Sequence, residues 1–163
     1  MNEQLLSLRK QIDALDDQLL GLLNDRARLA QAVGHVKNGV IYKPEREAQV
    51  VRRMQADNPG PLTPESASVI YKEIMSACRS LEQPLTIAYL GPEGTFSEAA
   101  AIKHFGHAAI GLACASIDEV FQAVERGEAH YGVAPVENST EGAVNRTLDL
   151  MLYSPPKICG EVV

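Results

Sequence analysis

The sequence predicts an α + α/β protein: three helices over residues 1–84, then one truncated lobe of an α/β fold over residues 85–163. Three observations carry that reading. Leu5, Leu8, Ile12, Leu15, Leu19 and Leu22 step by three and four, the spacing of a helical stripe. No strand-like run occurs before residue 85. From there, the strand-like runs Leu85–Leu90, Ala108–Ala115 and Tyr131–Val136 alternate with helix-like stretches, as in a parallel sheet with crossover helices.

The first helix is the longest. Its stripe resumes at Leu29, Val33 and Val36, and Asn38-Gly39 is a good C-terminal signal. A helix from about residue 3 to Lys37 runs roughly 50 Å at 1.5 Å per residue. A stripe of that length needs another helix along it. Gly34, inside it, costs up to about 1 kcal/mol against alanine, which points to close packing or to mere tolerance. Pro44 opens a second helix, with Glu45 and Glu47 at its positive end. That helix stops before Asp57-Asn58-Pro59-Gly60-Pro61. Thr63-Pro64-Glu65 then caps a third, with Ile70, Ile74, Cys78 and Leu81 as its apolar ridge and Gln83-Pro84 as its end.

In the second part, the first strand delivers the chain into Gly91–Ser97, a turn before a helix over Glu98–Phe105. Gly91–Gly94 resembles an anion-binding turn, although it is neither GxGxxG nor a Walker loop. Ser116-Ile117-Asp118-Glu119 is a capping-box opening to a helix closed by Gly127. Glu137–Gly142 reads as a loop, Ala143–Leu152 as a helix, and Ile158–Val163 as the start of a further strand.

Composition narrows the function classes. No apolar run is long enough to span a membrane, and no secretory signal opens the chain. Cys78, Cys114 and Cys159 are far apart and in no CxxC pair, which argues for a reducing, cytoplasmic setting without a disulfide frame. His104 and His107 lack the accompanying ligands of a metal site. Residues 1–84 carry eleven Lys and Arg against eleven Asp and Glu; residues 85–163 carry four against ten. Neither half has the basic face of a nucleic-acid binder.

The cations of the first helix suggest a small anion instead. Arg26 interrupts the leucine stripe. Lys37 lies eleven residues on, on nearly the same face and roughly 16 Å along the axis. Arg9 lies about 25 Å from Arg26 along the same helix, and only an antiparallel helix from a second copy brings it back into range. Spacing alone favours solvated positions for Arg9 and Lys37, and fits a snorkelling stem for Arg26 as well as a buried cation. No nucleophile is paired with a base; Ser97 and Ser139 read as caps rather than catalysts.

Residues 5–83, with LxxLRxxIDxLDxxLLxLLxxRxxLA, VKN, PERE and LEQP, resemble the all-helical chorismate mutase family. Residues 87–163, with AYLGPEGTFSEAA, GVAPVENSTEGAVNRTLD and ICGEV, resemble the opening of prephenate dehydratase, a periplasmic-binding-protein-like α/β fold. Together they are similar to the first part of the bifunctional chorismate mutase–prephenate dehydratase family of phenylalanine synthesis.

That resemblance implies an intertwined helical homodimer that rearranges chorismate to prephenate without cofactor or metal. It matches Arg26 and Lys37 to the cations that hold the substrate carboxylates, Lys37 also donating to the ether oxygen. Arg9 matches an arginine supplied by the partner subunit. Arg46 and Glu47 match the second-helix pair, the glutamate meeting the substrate hydroxyl. Cys78 stands where the family often has serine, and Glu82 where it has glutamine or glutamate, a donor to the ether oxygen when protonated. Lys43 departs from the acidic residue of some members. Thr95, Ser97, Glu137, Asn138 and Ser139 match motifs lining the dehydratase cleft. The family's Thr-Arg-Phe motif and its phenylalanine-binding domain have no counterpart in these 163 residues, so the expected dehydratase segment is incomplete and inactive. The competing reading is a non-catalytic dimerisation arm carrying a partial prephenate-binding lobe.

Overall fold

The computed structural model describes residues 3–36, 42–138 and 142–163. Three helices come first: α1 (Glu3–Val36), α2 (Pro44–Ala56) and α3 (Pro64–Ser80). They are followed by β1 (Thr86–Leu90), α4 (Phe96–Phe105), β2 (Ile110–Cys114), α5 (Ile117–Glu125) and β3 (Tyr131–Val133). The short strands β4 (Glu137–Asn138) and β5 (Gly142–Ala143) precede α6 (Asn145–Tyr153). Among the described residues no helix is long and apolar enough to cross a membrane.

The helix starts obey their capping signals. Thr63 accepts from the Ser66 amide at α3, with Pro64 behind it, and Ser116 accepts from the Glu119 amide at α5. The Glu119 carboxylate returns to the Ala115 amide at 2.9 Å, one residue earlier than a capping box would place it.

Not one residue of α1 is buried. Leu8, Ile12, Leu15, Leu19, Leu22 and Leu29 are half to two-thirds exposed, from 50% to 68%. The side of α1 that the chain itself covers is a different one: Leu23, Arg26, Ala27, Ala30 and Gly34 are half-buried and face α3. Among the described residues, the leucine stripe has no partner.

The expected ridge of α3 packs only in part: Cys78 is buried and Ile74 half-buried, but Ile70 and Leu81 lie exposed, and Ala67, Met75, Ser76 and Arg79 are buried instead. The reason is that α3 lies between two neighbours. One side meets α1 and α2, and the other meets the α/β segment.

The sheet has the order β2-β1-β3, all parallel. Strand alternation sorts its two faces. Ile87 packs with Ala101 and Phe105 of α4 and with Leu85, while Ala88 packs with Val120 and Ala123 of α5. The first of these cores also takes in Tyr42, which precedes α2 in sequence. Its ring lies 5.4 Å from Phe105 and 5.3 Å from Tyr131. The aromatic core of the α/β segment is therefore completed by a residue of the helical part.

Three expectations from sequence are corrected. The strands β2 and β3 are shorter than the apolar runs that announced them. Residues 137–143 hold the antiparallel pair β4–β5 rather than a plain loop. Ile158–Val163 forms no strand; its residues are mostly exposed and pair with no neighbouring strand, and a strand needs one.

Candidate active site

The helical part brings several of the singled-out residues to one place. Cys78 is buried on α3, and Glu82 follows one turn later, half-buried. The Glu82 carboxylate lies directly on α1: a Cβ added to Gly34 would stand 2.4 Å from its Oε2. Gly34 is thus a close-packing glycine, and the missing side chain is the space that the carboxylate uses. Arg26 lies two turns earlier on the same covered strip of α1, half-buried. Lys37, the next candidate along α1, lies outside the described residues.

From α2, Glu47 reaches α3. Its Oε1 accepts from Arg79 Nη1, and among the described residues its Oε2 accepts no hydrogen bond. The neighbouring Arg46 is exposed and, among the described residues, its side-chain hydrogen bond is a long one, 3.5 Å, to Gln49. Arg79 is a site feature the sequence reading missed. It is 7% exposed, also donates to the Phe105 carbonyl at 2.6 Å, and lies with its guanidinium carbon 4.8 Å from the Tyr42 ring centroid. The Tyr42 hydroxyl is pushed to a much higher pKa, by burial first and by the Glu47 carboxylate next, with Arg79 opposing.

Arg9 is exposed on the far part of α1. Seventeen residues of straight helix keep it about 25 Å from Arg26, so the single chain does not unite them. Lys43 is exposed as the residue preceding α2 and makes no side-chain cap.

In the α/β segment, Thr95 and Ser97 follow β1, while Glu137 and Asn138 follow β3. All four lie beyond the carboxyl ends of parallel strands. The chain goes from β1 to β2 on one side and then to β3 on the other, so the switch point lies between β1 and β3, where ligands of open sheets bind. Thr95 is also structural. Its hydroxyl donates to the Leu90 carbonyl at 3.0 Å and accepts from the Glu98 amide as the cap of α4. The proposed anion-binding turn is filled from within, because Gly94 N–H donates to Glu98 and Gly91 N–H to the Cys114 carbonyl. Ser139 lies outside the described residues.

Residues 8–83 match the family described as Chorismate mutase type II, and residues 87–163 match the family described as Prephenate dehydratase. The chain joins a chorismate mutase domain to part of a prephenate dehydratase domain. Its relatives combine the same two names. The bifunctional chorismate mutase/prephenate dehydratase of Neisseria gonorrhoeae is 54% identical, over 100% of this chain and 45% of its own length. The protein of the same name in Pseudomonas aeruginosa is 54% identical, over 98% of this chain and 46% of its own. That of Aquifex aeolicus is 47% identical, over 99% and 46%. The chain spans less than half the length of the curated relatives it matches. Arg26 comes from α1, Cys78 from α3 with Glu82 in the turn just after it, Glu47 from α2, and Arg9 stands apart.

Proposed function

We propose that residues 1–84 form a working chorismate mutase, residues 85–163 an incomplete dehydratase domain that does not catalyse alone, and that the chain acts as a cytoplasmic homodimer in phenylalanine synthesis. The substrate is the chorismate dianion and the product prephenate. Arg26 and Lys37 hold the carboxylates, Glu47 takes the substrate hydroxyl, and Arg46 and Cys78 line the pocket. Lys37 and protonated Glu82 donate to the ether oxygen as its bond to carbon breaks. Arg9 enters from the partner subunit.

The chemistry asks for no nucleophile or cofactor. The reaction is an intramolecular rearrangement, helped by selecting the compact conformer and by stabilising the charge that grows on the ether oxygen. One well-aimed donor to such an oxygen is worth about 3–4 kcal/mol. The observation that carries the reading is the Glu82 carboxyl seated on Gly34, beside the strip of α1 that bears Arg26. A mere dimerisation arm has use for the leucines but none for a carboxyl fitted onto a bare turn of helix. The test is incubation of the pure chain with chorismate and identification of the products. Prephenate without phenylpyruvate is expected. No turnover overturns the mutase reading, and phenylpyruvate overturns the claim that the dehydratase segment is inactive.

A further inference from the structure

We infer that Arg79 is a positioning residue for the mutase site and that it makes the setting of Glu47 depend on the docked α/β segment. This rests on the mutase reading above.

Arg79 joins three stretches that are distant in sequence. Nη1 donates to Glu47 of α2, Nη2 to the carbonyl of Phe105 at the end of α4, and the guanidinium packs against the Tyr42 ring. The Phe105 carbonyl is a strong acceptor, because the last carbonyls of a helix lack partners within it and carry the negative end of the dipole. The planar fork of arginine fixes its two donors relative to each other, so holding one acceptor aims the other. Burial removes the competing water.

The same face of α3 is fitted to the α/β segment on either side of this bridge. Gly106, at φ 82°, presses bare backbone against Ser76, where an added Cβ would stand 2.4 Å from the serine Cβ. The Glu73 carboxylate accepts from the His107 amide at 3.2 Å and pairs with the His107 ring at 3.0 Å. Glu73, Ser76 and Arg79 follow one another at three-residue steps and lie along Phe105–His107. The end of α4 is thereby a rigid stop against which Arg79 holds Glu47. Glu47 Oε1 is committed to the guanidinium, and Oε2 is the atom that faces a substrate hydroxyl.

The test measures KM and kcat for chorismate on the intact chain. Glu47 contacts a part of the substrate that does not react, so misplacing it weakens ground state and transition state alike. Arg79→Met is expected to raise KM about tenfold with little change in kcat, and to do nothing further in a Glu47→Ala background. Gly106→Ala, far from any substrate contact, is expected to raise KM in the same direction by lifting α4 from α3. Arg79→Lys keeps a cation but not the fork, and its KM is expected to fall between wild type and Arg79→Met. It also serves if Arg79→Met does not fold. An active wild type with unchanged KM in Arg79→Met or Arg79→Lys overturns the inference alone, as does an equal KM rise from Arg79→Met with and without Glu47. A wild type without turnover overturns the mutase reading and takes this inference with it.

Discussion

At the scale of single residues, the contact between Gly34 and Glu82 gives opposed effects on folding and on activity. Gly34→Ala removes the cost of glycine in a helix, about 1 kcal/mol at most. The new methyl meets the end of a flexible side chain, which yields without disturbing backbone. The thermal midpoint is therefore expected to hold or rise, while kcat/KM for chorismate falls at least about tenfold as the carboxyl is displaced from the substrate. Unchanged kcat/KM would show that Glu82 makes no contact in the reaction. A second expectation concerns the hydrogen bond from Glu82. Glu82→Gln, whose amide also donates, should keep most of kcat/KM, while Glu82→Leu, which has no donor, should lose at least about tenfold. Equal kcat/KM in the two variants removes Glu82 as donor. Arg26 and Glu82 stood out in sequence because a charge in an apolar stripe, or a carboxylate at a helix's negative end, breaks a local rule, whereas Cys78 was singled out only by the family resemblance. Arg79 breaks none. An arginine near the end of α3 suits the helix dipole, and its burial against Phe105 depends on a segment that follows it by more than twenty residues.

At the scale of elements, α1 poses a packing problem that the single chain leaves open. The strip bearing Leu23, Ala27, Ala30 and Gly34 faces α3, and the stripe leucines Leu5, Leu8, Leu15, Leu19, Leu22 and Leu29 face water. Its sequence announced the stripe correctly but not that the chain would cover the other side. Periodicity reports a face, not its partner. An antiparallel second α1 would cover those leucines and bring Arg9 to the Arg26 of the other protomer. Arg9→Ala and Arg26→Ala chains should each be nearly inactive, yet regain activity when unfolded and refolded together. A mixed dimer then has one site free of both lesions. No recovery, with mixed dimers shown by mass spectrometry, would place Arg9 in its own subunit's site or in none. Leu15→Glu tests the same surface. Within one chain the change sits at 63% exposure and should be harmless, so loss of dimer by sedimentation identifies the stripe as the interface. Helix α3 and the α/β elements were legible for a different reason. The caps at Thr63 and Ser116 and the strand-like run Leu85–Leu90 are local chemistry, whereas the strand expected at Ile158–Val163 needs a neighbour that apolar residues alone do not supply.

At the scale of the whole molecule, the two parts are joined through an aromatic cluster rather than through a bare linker, and that cluster contains one titratable ring in a poor place for charge. His104 lies 4.7 Å from Phe105 between ring centroids, and its Nε2 is 3.1 Å from the Tyr42 hydroxyl. Its pKa is held below the ordinary histidine value, by burial first and then by the cations of Lys72 and Arg79. The unfolded chain accepts that proton from about pH 6.5 downward, while the folded chain resists it. A depressed pKa contributes stability that is fully present above about pH 6.5 and is lost as pH falls through the lower folded value. Acidification should thus loosen the place where Tyr42 enters the α/β core. Glu73 also has a lowered pKa, since hydrogen bonds from His107 outweigh the opposing effect of burial, but its contribution is lost only at or below the ordinary carboxylate range. The interval between about pH 7.5 and about pH 5.5 therefore isolates the histidine step from the Glu73 step. The thermal midpoint of the chain is expected to drop across that interval. His104→Gln, which keeps a hydrogen-bonding side chain beside Tyr42 and cannot titrate, should drop less. Equal drops in the two proteins would mean that the junction does not sense the charge on His104.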